Sequence, residues 1–89
     1  MTVSKNLILR IIGGENILVP IGEDALKIHG MITLSDSGLL LWQRLQEEAT
    51  EDELVSLILE EYEVDETTAR EDVQSFLHGL RNAGLLMED

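Results

Sequence analysis

The apolar positions in the first third of the chain follow the pattern of β-strands. Leu7–Ile12 is apolar and rich in β-branched residues, and a similar run at residues 17–21 follows after the turn sequence Gly-Gly-Glu-Asn. Two such runs joined by a short glycine-containing turn predict a β-hairpin. Pro20 donates no backbone hydrogen bond, so we expect it at a strand end or on an edge. A third strand is predicted at residues 31–34, after a short extended segment at 22–30.

From Ser35 onward the apolar positions repeat at helical spacing, and the pattern predicts three helices. Ser35 or Asp36 caps the first helix, which we expect to cover roughly residues 36–47. The second helix begins with a capping box in which Thr50 and Glu53 satisfy each other's backbone amides. These signals place the change from strand to helix at the end of the third strand.

The third predicted helix covers residues 65–83, with Asp65 as its N-cap and Gly84 where a left-handed C-cap is expected. Its apolar stripe is the clearest in the chain and consists of Ala69, Val73, Phe76, Leu77 and Leu80. The segment after Gly84 is predicted to fold back on the core or to form a short sheet edge. We expect one hydrophobic core, built from the sheet and from Trp42, Ile58, Val73, Phe76 and Leu80.

Strands followed by helices, without repeats or a linker, predict an α+β fold. The expected architecture is winged-helix-like: an N-terminal three-stranded antiparallel sheet followed by a three-helix bundle. We expect residues 1–89 to form a single domain, with its core at about residues 7–86.

Charge narrows the choice of partners. The chain has 89 residues and a formal net charge of −12, and ten of its 18 acidic residues lie at residues 47–66, where there is no Lys or Arg. This charge repels phosphate backbones and anionic membranes, so we expect no nucleic-acid or membrane partner. The sequence has no Cys, no signal-peptide pattern and no apolar run of the roughly 20 residues that a membrane span needs. We expect a cytoplasmic protein.

The sequence offers little for catalysis. Its two histidines, His29 and His78, have no converging partners at metal-ligand spacing. No acidic loop has the spacing of a calcium site, and Gly13 and Gly14 are explained by the hairpin turn rather than by phosphate binding. The sequence therefore predicts no enzyme, no metal and no cofactor.

Two alternatives share features with this chain. Acidic acyl or peptidyl carrier proteins carry phosphopantetheine on a serine that opens a helix, a position that Ser37 would occupy. Gly38 stands where carriers have Leu, and the strand-like residues 7–34 stand where carriers have their first helix and a loop. A winged-helix regulator has the same inventory of elements, but Arg70 and Arg81 on the third helix give it no surplus of positive charge.

An ordered set of motifs resembles the PqqD-like family. The set spans about residues 7–86: an apolar strand, a polar cap and a helix with Trp and Leu (31–42), a Thr-x-x-Glu-Leu start (50–54), a Tyr-x-Val-Asp joint (62–65), and a helix that closes with Gly-Leu-Leu (72–86). One departure is Ser35-Asp36, where many members have Leu-Asn followed by an acid, which exchanges one helix cap for another.

The resemblance implies a non-catalytic recognition element for ribosomally made, post-translationally modified peptides. Such domains capture the leader segment of a precursor peptide and present it to a modifying enzyme, often a radical S-adenosylmethionine protein; PQQ biosynthesis is one of several such pathways. The leader adds as a strand in the groove between the third strand and the third helix. Carried onto this sequence, the strand is formed by Met31, Ile32, Thr33 and Leu34.

The residues themselves favour the same mode of binding. The strand at 31–34 is short, uncharged and free of proline, so it lacks the usual devices that block an exposed edge. A second copy of the chain is an alternative occupant of such an edge, which would give a homodimer. We further expect the groove to be lined by helix residues that flank the core stripe: Arg70, Val73, Gln74, Leu77 and Arg81.

Overall fold

Five strands and three helices make up the computed structural model, which describes residues 1–22 and 32–88. The order of strands followed by helices confirms the predicted α+β class. His29, Met31 and all of the predicted extended segment except Gly22 lie outside the described residues. The elements are β1 (Thr2–Val3), β2 (Leu7–Ile12), β3 (Glu15–Pro20), β4 (Ile32–Leu34), α1 (Asp36–Arg44), α2 (Glu51–Glu61), α3 (Glu66–Asn82) and β5 (Leu86–Met87).

The predicted hairpin forms from β2 and β3. Gly13 and Gly14 close it with φ angles of 60° and 81°, which only glycine adopts without strain. Strand β3 lies at the centre of an antiparallel sheet with the order β2-β3-β4. Pro20 is the last residue of β3, as expected from its missing donor.

A second, two-stranded sheet joins the two ends of the chain. Strands β1 and β5 pair antiparallel, with Val3 opposite Leu86. Leu85 is completely buried, so the chain after Gly84 folds back on the core and also forms a short strand. The φ of Gly84 is 73°, which matches the predicted left-handed C-cap.

All three helices begin at predicted caps. The hydroxyl of Ser35, rather than Asp36, caps α1 by accepting a hydrogen bond from Gly38 N at 3.1 Å. The Thr50 capping box opens α2, and the carboxylate of Asp65 accepts from Thr68 N at 2.7 Å to open α3. These local signals determine where the helices start.

Helix α1 ends at Arg44 and not at residue 47, as the sequence predicted. The chain tightens after Arg44, where Glu47 N donates to Arg44 O at 3.3 Å. In a helix that continued, Ala49 N would donate to Leu45 O. Instead Val3 N donates to Leu45 O, and Ala49 N donates to Met1 O, both at 3.0 Å. Contacts with the N-terminal residues therefore keep the helix from continuing.

The core lies between the three-stranded sheet and the helices. Ile58, Val73 and Leu80 are buried in it, as predicted, whereas Trp42 and Phe76 are only partly buried and pack against it. The wider core includes Val3, Leu18, Leu41, Leu45, Leu54, Leu77 and Leu85. Phe76 is partly exposed because it faces a cleft beside β4.

Candidate functional site

Strand β4 lies at one end of the sheet. It pairs with β3 on one side, and no other strand within residues 1–22 and 32–88 pairs with its other side. Thr33, in the middle of the strand, is exposed. An uncovered strand edge of this kind is available to an added strand.

The register of the sheet determines which backbone groups point to this open edge. Ile21 N donates to Asn6 O at 2.8 Å, so Asn6 and Ile21 form a hydrogen-bonded pair next to the Leu7–Pro20 pair. Hydrogen-bonded and non-hydrogen-bonded pairs alternate along antiparallel strands. The Arg10–Ile17 pair, four positions further on, is therefore also hydrogen-bonded, and Ile17 directs its N–H and C=O toward β2. Thr33 is opposite Ile17, so its own N–H and C=O point away from β3 to the open edge. Thr33 is thus the residue of β4 with a free donor and acceptor.

A cleft of about 270 Å³ runs between this edge and α3. Its strand side consists of Ile32, Thr33 and Leu34, the described part of the strand predicted from the sequence. Its helix side is one face of α3, because its residues repeat at spacings of three and four. These residues are Ser75, Phe76, Gly79, Leu80 and Ala83. We call this cleft the strand–helix groove.

Gly79 keeps the groove open at its middle. A glycine within a helix is less stable than alanine by roughly 0.5–1 kcal/mol, so a packing or functional reason is expected for it. A Cβ atom added to Gly79 would meet no other atom within 4 Å. The missing side chain therefore leaves space in the groove and does not relieve a clash.

None of the five predicted α3 residues lines the strand–helix groove. Val73 and Leu77 are core residues, with 0% and 2% of their surface exposed. Arg70 forms ion pairs with Glu51 at 2.7 Å and Asp52 at 2.9 Å, both in the first turn of α2. The hydrogen bond to Asp52 has the largest effect on the pKa of the Arg70 guanidinium, and the one to Glu51 has the next largest. Both raise this pKa.

The two remaining predicted residues lie along the same side of α3 as Arg70. Gln74 contacts Glu51 at 3.5 Å, and Arg81 forms an ion pair with Glu88 at 2.7 Å, which raises the pKa of its guanidinium. Positions 70, 74 and 81 form one helical stripe, which flanks the core on the side of α2. The groove lies on the opposite flank. Periodicity identified the core stripe but not which of its flanks faces β4.

The structure offers little for the alternative functions. The Oγ of Ser37 lies 3.2 Å from the Oγ of Ser35 in the first turn of α1, an ordinary helix start. Both arginines of α3 are held in ion pairs with carboxylates. Within the described residues, no group of three or more His, Asp or Glu residues is arranged to hold a metal ion. No helix in that part of the chain is long and apolar enough to cross a membrane.

Comparisons with known proteins agree with this arrangement. The chain is 28% identical to the protein in the structure "TbiB1 in Complex with the TbiA(beta) Leader Peptide", with a TM-score of 0.76 and complete coverage of both chains. "Lasso peptide synthetase B1 complexed with the leader peptide" shares the fold, with 20% identity, a TM-score of 0.73, and coverage of 97% of this chain and 95% of that one. No curated protein sequence matches the chain. Residues 15–86 match the family described as "Coenzyme PQQ synthesis protein D (PqqD)", and the chain therefore belongs to the PqqD family.

Proposed function

We propose that this protein captures the leader segment of a ribosomally made precursor peptide by strand addition to β4. The observation that carries the proposal is the open edge at Thr33 beside the strand–helix groove. The two structural neighbours were both solved in complex with leader peptides, which supports the same class of ligand here. In this proposal the peptide's backbone pairs with Thr33 and its apolar side chains enter the groove.

Backbone pairing supplies only a small part of the binding free energy. Thr33 offers one donor and one acceptor, and two hydrogen bonds contribute roughly 1–3 kcal/mol net. Association itself costs at least about 4 kcal/mol, and micromolar binding requires about −8 kcal/mol. The peptide must therefore gain roughly 9 kcal/mol or more from its side chains, which corresponds to about three or more buried apolar residues.

The protein has a presenting role in this proposal and not a catalytic one. It holds the leader while a partner enzyme modifies another part of the precursor, and a radical S-adenosylmethionine protein is the partner class that we propose. The proposed binding residues are Met31, Ile32, Thr33 and Leu34, the strand predicted from the sequence, together with the groove-facing residues of α3. Of those, Phe76 and Ala83 are partly buried and supply the apolar surface.

The experiment compares Thr33→Pro with Thr33→Val. Proline removes the N–H that points to the open edge and leaves pairing with β3 intact, because that N–H does not bond to β3. Valine removes the hydroxyl but retains the N–H. Titration of the fluorescein-labelled leader of a precursor encoded beside this gene should show that Thr33→Pro binds about 5- to 150-fold more weakly, for a loss of about 1–3 kcal/mol. Thr33→Val should bind like the unchanged protein.

Equal affinity of a folded Thr33→Pro variant would refute strand addition at this edge. The titration is run at concentrations where light scattering gives the monomer mass, because a second copy paired along β4 would compete with the peptide. A mass gain of one phosphopantetheine on Ser37, after incubation with a broad-specificity phosphopantetheinyl transferase, would instead establish a carrier.

A further inference from the structure

The strand–helix groove continues beyond the end of β4. Ser75 and Phe76 line it and also line a second cleft, of about 280 Å³, which reaches Ser37 and Asp72. Those two residues in turn line a third cleft of about 300 Å³. Each cleft shares lining residues with the next one, so the three clefts form one track beside α3.

The third cleft lies between the start of α1 and the loop that joins α2 to α3. Ile58 is 2% exposed within it, and Tyr62 and Val64 are 38% and 37% exposed at its sides. Asp36 and Asp72 also line it, together with Ser35 and Ser37. We call it the Tyr62 cleft, an apolar site with two acidic groups.

The track is longer than the strand that begins it. From Ala83 to Asp72 it follows 11 residues of α3, about 16 Å at 1.5 Å per residue. An extended peptide of that length has about five residues, whereas the described part of β4 has three. Successive side chains of a strand alternate between two faces, so a three-residue pairing directs at most two side chains into the groove. Micromolar binding therefore requires more contacts than the described part of β4 provides.

The charges of the Tyr62 cleft favour a cation. Neither Asp36 nor Asp72 forms an ion pair within residues 1–22 and 32–88. The N-terminus of α1 is nearby and carries about half a positive charge, which opposes a cation. Two full carboxylate charges outweigh it. The ring of Tyr62 adds a face on which an arginine or lysine side chain can stack.

We propose that the Tyr62 cleft binds an arginine or lysine of the same peptide, a few residues from the segment paired with β4. Its aliphatic stem packs on Tyr62 and Val64, and its charged end lies between Asp36 and Asp72. This inference rests on the proposed function and specifies its ligand: an apolar segment for the groove, followed at a fixed spacing by a basic residue. The cleft thereby selects one register of the peptide along β4.

The test is a selection from a displayed library of random 12-residue peptides, made in parallel on three proteins. These are the unchanged protein, the Asp36→Asn/Asp72→Asn variant, and a control, Glu60→Gln/Glu71→Gln, which loses the same charge at exposed sites outside the cleft. Peptides from the unchanged protein and the control should carry Arg or Lys at a fixed distance from their apolar residues. Peptides from the Asn variant should keep the apolar residues and lose that basic position.

One selected peptide, labelled with fluorescein, then gives affinities. Its binding should weaken about three- to tenfold in the Asn variant and by a similar factor when its basic residue is replaced by norleucine. The two changes together should weaken it no further, because both remove one interaction. The norleucine peptide tests the contact without any change to the protein.

The outcomes separate this inference from the proposed function. The selected peptides could need the Thr33 N–H but share no basic position, or the basic position could persist in peptides selected on the Asn variant. Either result would refute basic-residue binding in the Tyr62 cleft and leave strand addition intact. Peptides that bind Thr33→Pro as tightly as the unchanged protein overturn strand addition, and the inference with it.

Discussion

Replacing Gly79 should raise the stability of the protein and weaken its peptide binding. In a helix interior, alanine is more favourable than glycine by roughly 0.5–1 kcal/mol, and the added Cβ would meet no atom within 4 Å. For a domain of this size, that gain corresponds to a rise of about 2–8 °C in Tm. Gly79→Ala should therefore unfold at a higher denaturant concentration than the unchanged protein.

The same substitution places atoms in the strand–helix groove. The methyl of Gly79→Ala should weaken binding about fivefold, for an overpacking cost of about 1 kcal/mol. Gly79→Leu places four carbons in a cleft of about 270 Å³. It should displace one apolar side chain of the peptide, with a loss of about 1.5–3 kcal/mol, or about 10- to 150-fold in Kd.

Both quantities are measurable on one sample. Trp42 is the only tryptophan and is partly buried, so its fluorescence reports urea unfolding. The labelled leader peptide reports binding. The control is Ser56→Ala, at an exposed position within α2, which should also gain stability but leave Kd unchanged. Full affinity in Gly79→Leu would refute the groove as the peptide site, and a less stable Gly79→Ala would refute the open space at this position.

Three further substitutions test the framework around the groove. Thr50→Ala removes the hydroxyl that caps α2 and should lower the free energy of unfolding by about 0.5–2 kcal/mol in urea titrations. The pKa of Asp65 is lowered by the Thr68 backbone amide. Its stabilising effect is therefore complete above the unfolded pKa and is lost as pH falls below about 4. Asp65→Asn keeps a cap that does not titrate, so its stability deficit should shrink toward pH 3. Arg70→Gln should lower Tm, because it breaks the ion pairs to α2, and leave the Kd for the peptide unchanged.

Each of these expectations has a contradicting result. A Thr50→Ala variant as stable as the unchanged protein would show that the capping box adds nothing. An Asp65→Asn deficit that stays constant between pH 6 and pH 3 would remove the proposed acid dependence. Weaker peptide binding by Arg70→Gln, with Tm unchanged, would place the ligand on the α2 side of α3 instead of in the groove.

Local sequence signals determined most of the framework. The glycine pair, the three side-chain caps and Gly84 each act within a few residues of the chain, so their effect was readable without tertiary structure. The capping box at Thr50 and the cap at Asp65 appear where the sequence predicted them. The fold class followed from the change of hydrophobic period after residue 34.

The position of the groove depended on tertiary structure. The stripe of α3 that contains Val73 was predicted correctly as core, yet residues on either flank of a stripe look alike in a sequence. Packing placed Arg70 toward α2 and Gly79 toward β4. Gly79, a small residue within a helical pattern, was the one sequence signal that pointed to the flank that faces β4.

By itself, the sequence determined where each predicted helix starts, where the hairpin turns and which helix faces are apolar, because those properties depend on neighbouring residues. Only the tertiary structure decided that α1 stops at Arg44, that β1 pairs with β5, and that the N–H of Thr33 points to an open edge. The physical reason is the same for all three. Each depends on a partner far away in the chain, and hydrophobic period carries no information about which distant element that partner is.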